Sequence, residues 1–405
     1  MYLAGTKILE SKYTNVLTDL ALVAHSVRSD LTPALARINP IVYAEVEQVM
    51  REEMPECRDW TAVSAYTTVV HMVAKITGRI FVGPGLCRHP EYLDSAVNYA
   101  LDVLRAQKEI KTIRPLLRPL LAPRLPSVRQ LREREKKAAE FFGPVVQARL
   151  DAEASDPHWQ KPQDMLSSLM SSGAGHGVLS AAGLAKMQLG VIFAAVHTTS
   201  ESMTHILYDL SVRPEYIDPL REEIRSVMAE HGGTITTHGL QQMMKLDSFM
   251  RESLRFHPPL TTTSHREVVK GFTLSNGQYI PAGATIELPS RAVYCDPANY
   301  PDGDVFDGFR SYHLRQGGTA RDHARNQFVT SNEQSLMFGY GRHACPGRFF
   351  AANEIKMLLA KLIGNFDFKN EDGGLQRYAN IEIGALIAPD TKRKLLFKRI
   401  TTASV

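Results

Sequence analysis

The sequence predicts a mainly α-helical fold with a small β region. Three observations support this prediction. Apolar residues recur with the helical period through most of residues 1–260. After that region, Asn276 and Gly277 stand between two short alternating segments, which is a strong hairpin signal. A last amphipathic segment, residues 348–364, comes before a tail that predicts short strands.

The predicted helices follow one another along most of the chain. They cover residues 63–79, 92–108, 129–152, 181–209, 215–230, 243–256 and 348–364. A proline-rich stretch at 115–126 and a stretch of small residues at 171–177 predict connections between helices, not domain boundaries. The sequence contains no internal repeat and no long low-complexity linker. Its length by itself suggests two or three domains, but only as a soft prior.

The predicted β region begins at the hairpin of residues 272–280 and continues as a turn and a strand over residues 281–286. The next stretch, about 296–341, is rich in Asp, Gly, Asn and Pro and predicts irregular structure. Irregular stretches of that length are uncommon in compact domains and are often functional.

Composition and charge are those of an ordinary globular protein. Hydrophobic residues make up 44% of the chain and charged residues 22%, which excludes the disordered and fibrous classes. The formal net charge is only +4, and no basic block is interleaved with aromatic residues. The sequence therefore predicts no nucleic-acid partner.

The four cysteines, Cys57, Cys87, Cys295 and Cys345, lie far apart and have no CxxC spacing. This argues against a disulfide framework or a zinc site and fits a reducing compartment. The longest apolar run, about 189–196, is far too short to span a bilayer, and the first residues lack a cleavable signal pattern. As written, the chain predicts a cytoplasmic or peripheral protein with no transmembrane segment.

Cys345 lies in a glycine-rich loop directly before the last predicted helix. Gly341 and Gly347 allow backbone angles or close approaches that other residues do not. The N-terminus of the following helix favours a thiolate, and Phe338 is placed to cover the sulfur and exclude water. A lone cysteine in a turn is more often a buried structural residue, so these residues by themselves leave both interpretations open.

The whole string from Phe338 to Gly347 resembles the cysteine-ligand loop of the cytochrome P450 family. The family pattern, Phe-x-x-Gly-x-Arg-x-Cys-x-Gly, is matched by Phe338, Gly341, Cys345 and Gly347. This resemblance implies haem b as cofactor, with the Cys345 thiolate as axial iron ligand, a ligand that favours O–O cleavage. His343 stands where the family usually has an Arg that pairs with a haem propionate. Histidine there is typical of the filamentous-fungal branch.

A second signature, Glu252-Ser-Leu-Arg255, lies in the predicted helix 243–256. The i, i+3 spacing places both charges on one helix face, although such pairs are usually exposed and nearly neutral in energy. The resemblance implies that Glu252 and Arg255 form a buried network with Arg310, which holds the cysteine loop in place. The segment that contains Arg310 departs from the family in having Gly308 where Pro is common.

A third signature, Ala194-Ala195-Val-His197-Thr198-Thr, resembles the family pattern Ala/Gly-Gly-x-Asp/Glu-Thr-Thr, with Ala195 in place of Gly and His197 in place of the acid. Small residues let a flat cofactor approach the helix. The resemblance implies that Thr198 donates a hydrogen bond to bound dioxygen or orders a water for proton delivery, although threonines in helices often serve only packing. His197 either relays protons or is a satisfied helix residue, and the sequence leaves both open.

Three further residues are candidates for contact with the haem propionates. Arg28 matches the family's basic residue on the helix that crosses the propionates, and His25 is a weaker candidate beside it. Arg266, after the Glu252–Arg255 helix, matches another. A guanidinium suits a bidentate contact with a carboxylate, but without the resemblance each would be interpreted as a surface charge.

The resemblance extends from about Lys12 to the end of the chain, with the motifs in family order. It implies the cytochrome P450 fold as a single haem domain, here without the N-terminal anchor, first helix and first strands of fungal members. The implied activity is a monooxygenase that uses dioxygen to hydroxylate an apolar small molecule. A terpenoid, polyketide or alkaloid of fungal specialised metabolism fits this expectation.

Two alternatives stay open at this point. One is a haem-thiolate enzyme that couples, dehydrogenates or rearranges its substrate, and the other is an inactive, truncated haem-binding remnant. No Gly-x-Gly-x-x-Gly fingerprint follows a strand, so NADPH-cytochrome P450 reductase is the expected electron donor, docking near Arg342 and Arg348. A monomer is expected, at the endoplasmic reticulum membrane surface if the full-length form carries an anchor.

Overall fold

The computed structural model describes residues 2–3, 9–14, 16, 20–175 and 180–400. Most of these residues are helical, as the sequence predicts. The α-helices are α1 (Ser11–Thr14), α2 (Leu20–Ser26), α3 (Leu35–Glu53), α4 (Ala65–Phe81), α5 (Pro90–Thr112), α6 (Arg118–Leu121), α7 (Pro126–Ser155), α8 (Met165–Gly175), α9 (Ala181–Ser211), α10 (Ile217–Glu230), α11 (Thr237–Gln242), α12 (Met244–Phe256), α13 (Ser290–Cys295), α14 (Arg310–Gln316), α15 (Ala320–Arg325) and α16 (Arg348–Asn365).

The strands are short and form a minor part of the fold. They are β1 (Tyr2–Leu3), β2 (Thr61–Ser64), β3 (Thr263–Glu267), β4 (Phe272–Thr273), β5 (Tyr279–Ile280), β6 (Thr285–Leu288), β7 (Phe366–Asn370), β8 (Asn380–Ile383), β9 (Leu386–Pro389) and β10 (Lys394–Arg399). They make two three-stranded sheets, in the orders β1-β3-β6 and β2-β10-β7, and two two-stranded sheets, β4-β5 and β8-β9.

The chain divides into two compact units, each built from three segments. The first unit comprises Met1–Pro33, Thr77–His197 and His265–Glu287, and the second comprises Ala34–Ile76, Thr198–Ser264 and Leu288–Val405.

The first unit has its core between α5 and α7. Tyr99 of α5 and Leu131 of α7 are almost completely buried, as are other apolar residues of both helices. Arg134 of α7 forms ion pairs with Asp94 and Asp102 of α5, and its Nε lies 2.6 Å from an Asp102 carboxylate oxygen. The hairpin β4-β5 pairs Phe272 with Ile280 and Thr273 with Tyr279, which confirms the predicted hairpin around Asn276 and Gly277.

The second unit is built around α16. The apolar residues of this helix are buried on several sides, which is typical of a central helix. They are Ile355, Met357, Leu358, Leu359, Leu362 and Ile363. Helices α3 and α10 pack against α16. Strand β7 follows directly after α16, and the antiparallel sheet β2-β10-β7 pairs Leu395 with Val63 and Phe397 with Phe368.

A buried ionic cluster connects three elements of the second unit. Asp247 of α12 accepts a hydrogen bond at 3.0 Å from Arg315 of α14, and its other carboxylate oxygen lies 2.5 Å from Nζ of Lys356 on α16. The backbone N–H of Phe328 also donates to Asp247, at 2.8 Å. Because burial raises the pKa of Asp247 while Lys356 and Arg315 lower it more, the pKa of this carboxyl lies below its usual value.

The predicted helices are confirmed, with three local differences. Residues 63–64 are strand, because Thr61–Ser64 pairs with β10 and this long-range pairing overrides the helical pattern. The predicted connection at 171–177 is wrong up to Gly175, where α8 ends, and residues 176–179 lie outside the described part of the chain. The proline-rich connection contains two short 3₁₀ turns and α6.

The predicted irregular stretch 296–341 contains two short helices, α14 and α15. A local signal for α15 exists in the sequence. Thr319 and Asp322 form a capping box, in which each side chain accepts a hydrogen bond from the other residue's backbone N–H.

One helix of the described residues, α9, has the length and the apolar composition that a membrane span requires. Half of its most apolar window is buried inside the protein, and the core helix of a large domain meets the same criterion.

Candidate active site

The cysteine loop is shaped by glycines and by short backbone hydrogen bonds. A 3₁₀ turn at Gly341–His343 comes before Cys345, and α16 follows it. The Cys345 N–H donates to the Phe338 carbonyl at 2.7 Å. Gly341 has a φ of +65°, a left-handed conformation that favours glycine, as the sequence predicts for this residue.

Gly347 is different, because of the two expectations for these glycines, an unusual backbone angle or a close approach, it does not show the first. It has φ −86° and ψ 1°, which other residues adopt readily. A Cβ atom at this position would meet no described protein atom within 4 Å. What the glycine provides is therefore clear space, not backbone freedom.

The Cys345 thiol is exposed although many protein atoms surround it. The pKa of Cys345 lies above its ordinary value, because burial raises it more than the backbone N–H groups of Gly347 and Arg348 and the charge of Arg348 lower it. Arg348 is fixed by two main-chain acceptors, since it donates to the Cys345 carbonyl at 2.7 Å and to the Val329 carbonyl at 3.1 Å. The start of α16 therefore directs hydrogen-bond donors at an accessible sulfur.

Phe338 and His343 flank the loop. The Phe338 ring packs edge-on against Phe328, with ring centroids 5.3 Å apart and planes at 84°. Phe328 is fully buried, so Phe338 has a rigid support. His343 is exposed and accepts a hydrogen bond at Nε2 from Nε of Arg342 at 3.1 Å.

Glu252, Arg255 and Arg310 lie together. Arg255 donates to both carboxylate oxygens of Glu252, at 2.9 and 2.8 Å, and both side chains are 4% exposed. Nε of Arg310 lies 3.4 Å from Glu252 Oε1. This bidentate geometry is the strongest form of an arginine–carboxylate pair, and the predicted grouping of the three residues is observed.

Both arginines also donate to main-chain carbonyls. Arg255 donates to Tyr294 and Gly303, at 2.7 Å in each case. Arg310 donates to Pro301 at 2.8 Å, to Val305 at 2.9 Å and to Asp302 at 3.2 Å. The network therefore fixes the path of the backbone between residues 294 and 305.

Tyr294 connects this network to the cysteine loop. Its carbonyl accepts from Arg255, and its phenol oxygen accepts from the N–H of Leu336 at 2.9 Å. Leu336 comes two residues before Phe338, whose carbonyl holds the Cys345 N–H. The sequence analysis missed Tyr294, because no local pattern marks it.

The departure at Gly308 has a physical reason. A Cβ atom there would lie 2.6 Å from a ring carbon of Phe249 and 2.7 Å from one of Tyr216. The Gly308 N–H also donates to the Tyr216 hydroxyl at 3.1 Å. Proline would bring the clash and remove this donor, so the aromatic packing of this chain requires glycine.

The two α9 candidates differ in their surroundings. Thr198 is exposed, and His197 is buried. Nε2 of His197 lies 2.8 Å from the Val97 carbonyl, and burial lowers the pKa of the ring more than this bond raises it. A neutral His197 that is bonded to the main chain supports its interpretation as a satisfied helix residue.

The sequence analysis also missed Glu201, three residues after Thr198. Burial alone raises the pKa of this carboxyl to about 7. A glutamate so shifted within one turn of Thr198 belongs among the candidates for acid–base chemistry. A single glutamate in an apolar helix gives no sequence signal of its burial.

His25, Arg28 and Arg266 belong to the first unit. His25 and Arg28 are both exposed and stand three residues apart, where α2 passes into a π-helix at Val27–Leu31. Short π-helical segments are rare, and those that occur are frequently found at functional sites. Arg266 lies in β3, is largely buried, and donates to the His265 carbonyl at 2.8 Å.

The residues of the cysteine loop fit a haem. The donor set offers one accessible thiol, whose thiolate form the amides of Gly347 and Arg348 stabilise, and a thiolate is an axial ligand of haem iron. The absent side chain at Gly347 leaves clear space beside this thiol. Thr198 and the small, accessible Ala194 and Ala195 give α9 a face with little steric bulk.

Comparisons with known proteins agree with this site. The model of the cytochrome P450 family matches residues 13–397. Cytochrome P450 monooxygenase ATR3 of Stachybotrys chlorohalonatus is 37% identical, over 98% of this chain and 84% of its own length. Monooxygenase braC of Annulohypoxylon truncatum is 35% identical, over 98% of this chain and 80% of its own length. Monooxygenase paxP of Penicillium paxilli is 35% identical, over 96% of this chain and 75% of its own length.

These fungal relatives span nearly the whole chain, and the family model does so as well. The motifs that the sequence analysis identified lie within the matched range. The chain belongs to the cytochrome P450 family and is an oxidoreductase of the haem-thiolate monooxygenase type.

Proposed function

We propose that this chain hydroxylates an apolar small molecule with dioxygen, using haem b bound through the thiolate of Cys345. The observation that carries the proposal is the accessible Cys345 thiol, which lies on a glycine-shaped loop and receives N–H donors from the start of α16. Haem with a thiolate ligand supplies the activation of dioxygen, because the thiolate pushes electron density that favours O–O cleavage.

The residues of the second unit have separate roles in this proposal. Glu252, Arg255 and Arg310 hold the cysteine loop through Tyr294, and Phe338 shields the sulfur from water. Gly341 sets the turn, and Gly347 keeps the approach to the sulfur clear. Thr198 donates hydrogen bonds and passes protons on the oxygen-binding side. Among the residues that support the loop, Glu252, Arg255 and Tyr294 are buried.

In this proposal the arginine and histidine candidates bind the haem propionates. Arg28 and Arg266 pair with the propionates, since a guanidinium offers two parallel donors to a carboxylate. His343 takes the place of the family's arginine and binds as a hydrogen-bond donor, with His25 as a weaker candidate beside Arg28. His197 is not needed for proton relay.

The substrate and the electron source are inferred from the family. We place the substrate among the apolar scaffolds of fungal specialised metabolism, such as a terpenoid, a polyketide or an alkaloid, because the compared relatives come from filamentous fungi. NADPH-cytochrome P450 reductase supplies the electrons to a monomeric haem domain of residues 1–405. Exposed Arg342 suits its docking better than Arg348, whose guanidinium is occupied by main-chain carbonyls.

The experiment that tests the proposal is the absorption spectrum of the reduced, carbon-monoxide-bound protein. The chain should show the Soret band of a thiolate-ligated haem, and Cys345→Ala should abolish it because the substitution removes the proposed axial ligand. Cys295→Ala is the matched control, since Cys295 is also exposed but lies in α13, away from the loop sequence.

An unchanged spectrum in Cys345→Ala would refute the ligand assignment. Turnover with reductase and NADPH then distinguishes the remaining alternatives. Incorporation of oxygen into an apolar product supports hydroxylation, and coupled, dehydrogenated or rearranged products favour the second reaction type. A normal spectrum without any turnover indicates an inactive haem-binding remnant.

We further propose that the first unit contacts an anionic lipid surface, such as that of the endoplasmic reticulum. The segment between α5 and α7 exposes four leucines, Leu116, Leu117, Leu120 and Leu121, and Leu116 is 94% exposed. Exposed basic residues accompany them, namely Lys108, Lys111, Arg114 and Arg124. Apolar side chains flanked by cations are typical of surfaces that insert into anionic membranes.

Leu116→Ser combined with Leu120→Ser should weaken binding to vesicles that contain phosphatidylserine by at least about tenfold, because two leucines no longer enter the bilayer. Co-sedimentation with vesicles measures the effect. Leu375→Ser is the control, since Leu375 is 70% exposed but lies in the second unit. Equal binding of the double variant and the control would contradict the proposal.

A further inference from the structure

The C-terminal half of α9 is buried except at two positions. From Val196 to Ser211, every residue other than Thr198 and Glu201 is buried. Thr198 is exposed, and Glu201 is partly accessible. Since residues at i and i+3 lie on one face of a helix, these two polar side chains share the accessible part of this half of the helix.

Glu201 is buried among protein atoms although part of its surface is accessible. Burial is the only influence on its carboxyl among the described residues, and it raises the pKa to about 7. Tyr66 of α4 is the titratable group that faces it, and the charge of Glu201 raises the pKa of that phenol. On α9 itself, His205 lies one turn further on, where burial lowers its pKa to about 3 and keeps it neutral.

His197, which stands at the family's acid position, makes a main-chain contact instead. His197 is buried and hydrogen-bonded to the Val97 carbonyl. Thr198 therefore follows a residue with a main-chain partner, while a carboxyl group stands on its own face at the next turn. Cβ atoms at i and i+3 are about 5–6 Å apart, a separation that one bridging water spans.

We propose that Glu201, and not His197, is the acid that resupplies protons to Thr198. This inference rests on the proposed function and names a further residue for that same site. Glu201 acts through Thr198 and is therefore a positioning and proton-relay residue, not a catalytic residue in contact with the reacting atoms.

The proton balance of the relay is simple. The O–H bond of protonated Glu201 breaks, and its proton passes through one water to Oγ1 of Thr198. Thr198 releases its own hydroxyl proton toward the oxygen-binding side and regains an O–H bond from the water. Glu201 is left as a carboxylate and recovers a proton from solvent. The electrons of the reaction come from the reductase, so the relay itself changes no oxidation state.

Peroxide yield tests the relay without knowledge of the substrate. When the haem-loaded chain and reductase oxidise NADPH alone, dioxygen leaves either as hydrogen peroxide, at the expense of one NADPH, or as water, at the expense of two. Proton delivery favours O–O cleavage and hence water. Glu201→Gln should therefore raise the peroxide released per NADPH several-fold and remove the pH dependence of this yield near neutrality.

Three variants distinguish a relay from a structural role. Glu201→Asp should restore most of the wild-type yield, because it keeps the acid. Thr198→Ala should raise the yield, and the double variant Thr198→Ala with Glu201→Gln should add little to it, as expected for residues that act in series. Glu223→Gln is the matched control, because burial also raises the pKa of Glu223 on α10.

Urea unfolding supplies a readout that does not depend on turnover. The pKa of Glu201 is raised in the folded state, so its stabilising contribution is full below the unfolded pKa and is lost as pH rises through about 7. The unfolding midpoint of the wild type should therefore fall relative to that of Glu201→Gln across this pH range.

The outcomes separate the two claims. If Glu201→Gln keeps the thiolate-type carbon-monoxide spectrum and the wild-type peroxide yield, the relay is refuted and the proposed function stands. If the wild-type chain itself lacks that spectrum, both are overturned. A peroxide yield that rises equally in Glu223→Gln also refutes the relay, since it would then reflect a general loss of buried acids.

Discussion

Arg255→Ala should lower the free energy of unfolding by about 3–5 kcal/mol, the range for breaking a buried ion pair. The substitution leaves the buried Glu252 carboxylate with the Asp307 N–H at 3.0 Å and with Arg310, which approaches it only at 3.4 Å. It also leaves the carbonyls of Tyr294 and Gly303 without their donor. Urea denaturation monitored by circular dichroism measures the loss.

Arg255→Lys separates charge from geometry in the same experiment. Lysine keeps the charge but cannot make a bidentate contact with Glu252, so it should recover only part of the stability. Arg291→Ala provides the control, because the Arg291–Glu382 pair is 60% and 52% exposed and exposed pairs contribute less than about 1 kcal/mol. A loss in Arg255→Ala no larger than this control's would show that the network does not stabilise the fold.

Asp247→Asn should destabilise the protein by a similar amount, about 3–5 kcal/mol. Asparagine keeps the size of the side chain and its acceptor for the Phe328 N–H, but it removes the one carboxylate between Lys356 and Arg315. Two buried cations then lie close together without the anion that pairs with both of them. Thermal or urea unfolding at neutral pH measures the effect.

The pH dependence of this effect has a definite sign. The pKa of Asp247 is lowered in the folded state, so its contribution is present above the unfolded pKa and is lost as pH falls through the folded value. The difference between wild type and Asp247→Asn should therefore shrink on strong acidification. Asp367→Asn is the control, since Asp367 pairs with Arg221 but is 52% exposed. A gap that grows on acidification would contradict this account.

Features with a local signal were predictable from the sequence. The helix that carries Glu252 and Arg255 has a strong amphipathic pattern, and the i, i+3 spacing of the pair placed both charges on one face. The Asn276-Gly277 turn indicated its hairpin in the same way, since Gly277 adopts a left-handed φ of +87° without strain. Gly341 adopts the positive φ that its place in a glycine-rich loop suggested.

Features that depend on distant partners were not predictable. The apolar pattern predicted helix at residues 63–64, but these residues pair as a strand with β10, which lies more than three hundred residues later in the chain. Tyr294 joins Arg255 to Leu336 through contacts that no spacing reveals. The burial of Glu201 depends on what packs against α9, and so does the neutral state of His197. The pattern of one helix gives its faces but not the neighbours of each face.

The two network arginines, Arg255 and Arg310, bind the backbone between residues 294 and 305 through its carbonyl oxygens. Every hydrogen bond that they donate there ends on a carbonyl oxygen, at Tyr294, Pro301, Asp302, Gly303 and Val305. Arg255 also lies over the Tyr300 ring, 4.9 Å from its centroid. A carbonyl is present whatever the residue type, so most positions of this stretch can vary without loss of these hydrogen bonds. Tyr294 is the exception, because its phenol oxygen accepts from the Leu336 N–H. The length of the stretch cannot vary in the same way, because one inserted or deleted residue would shift the carbonyls out of register with both guanidinium groups. Substitutions in this stretch are therefore tolerated more readily than insertions or deletions.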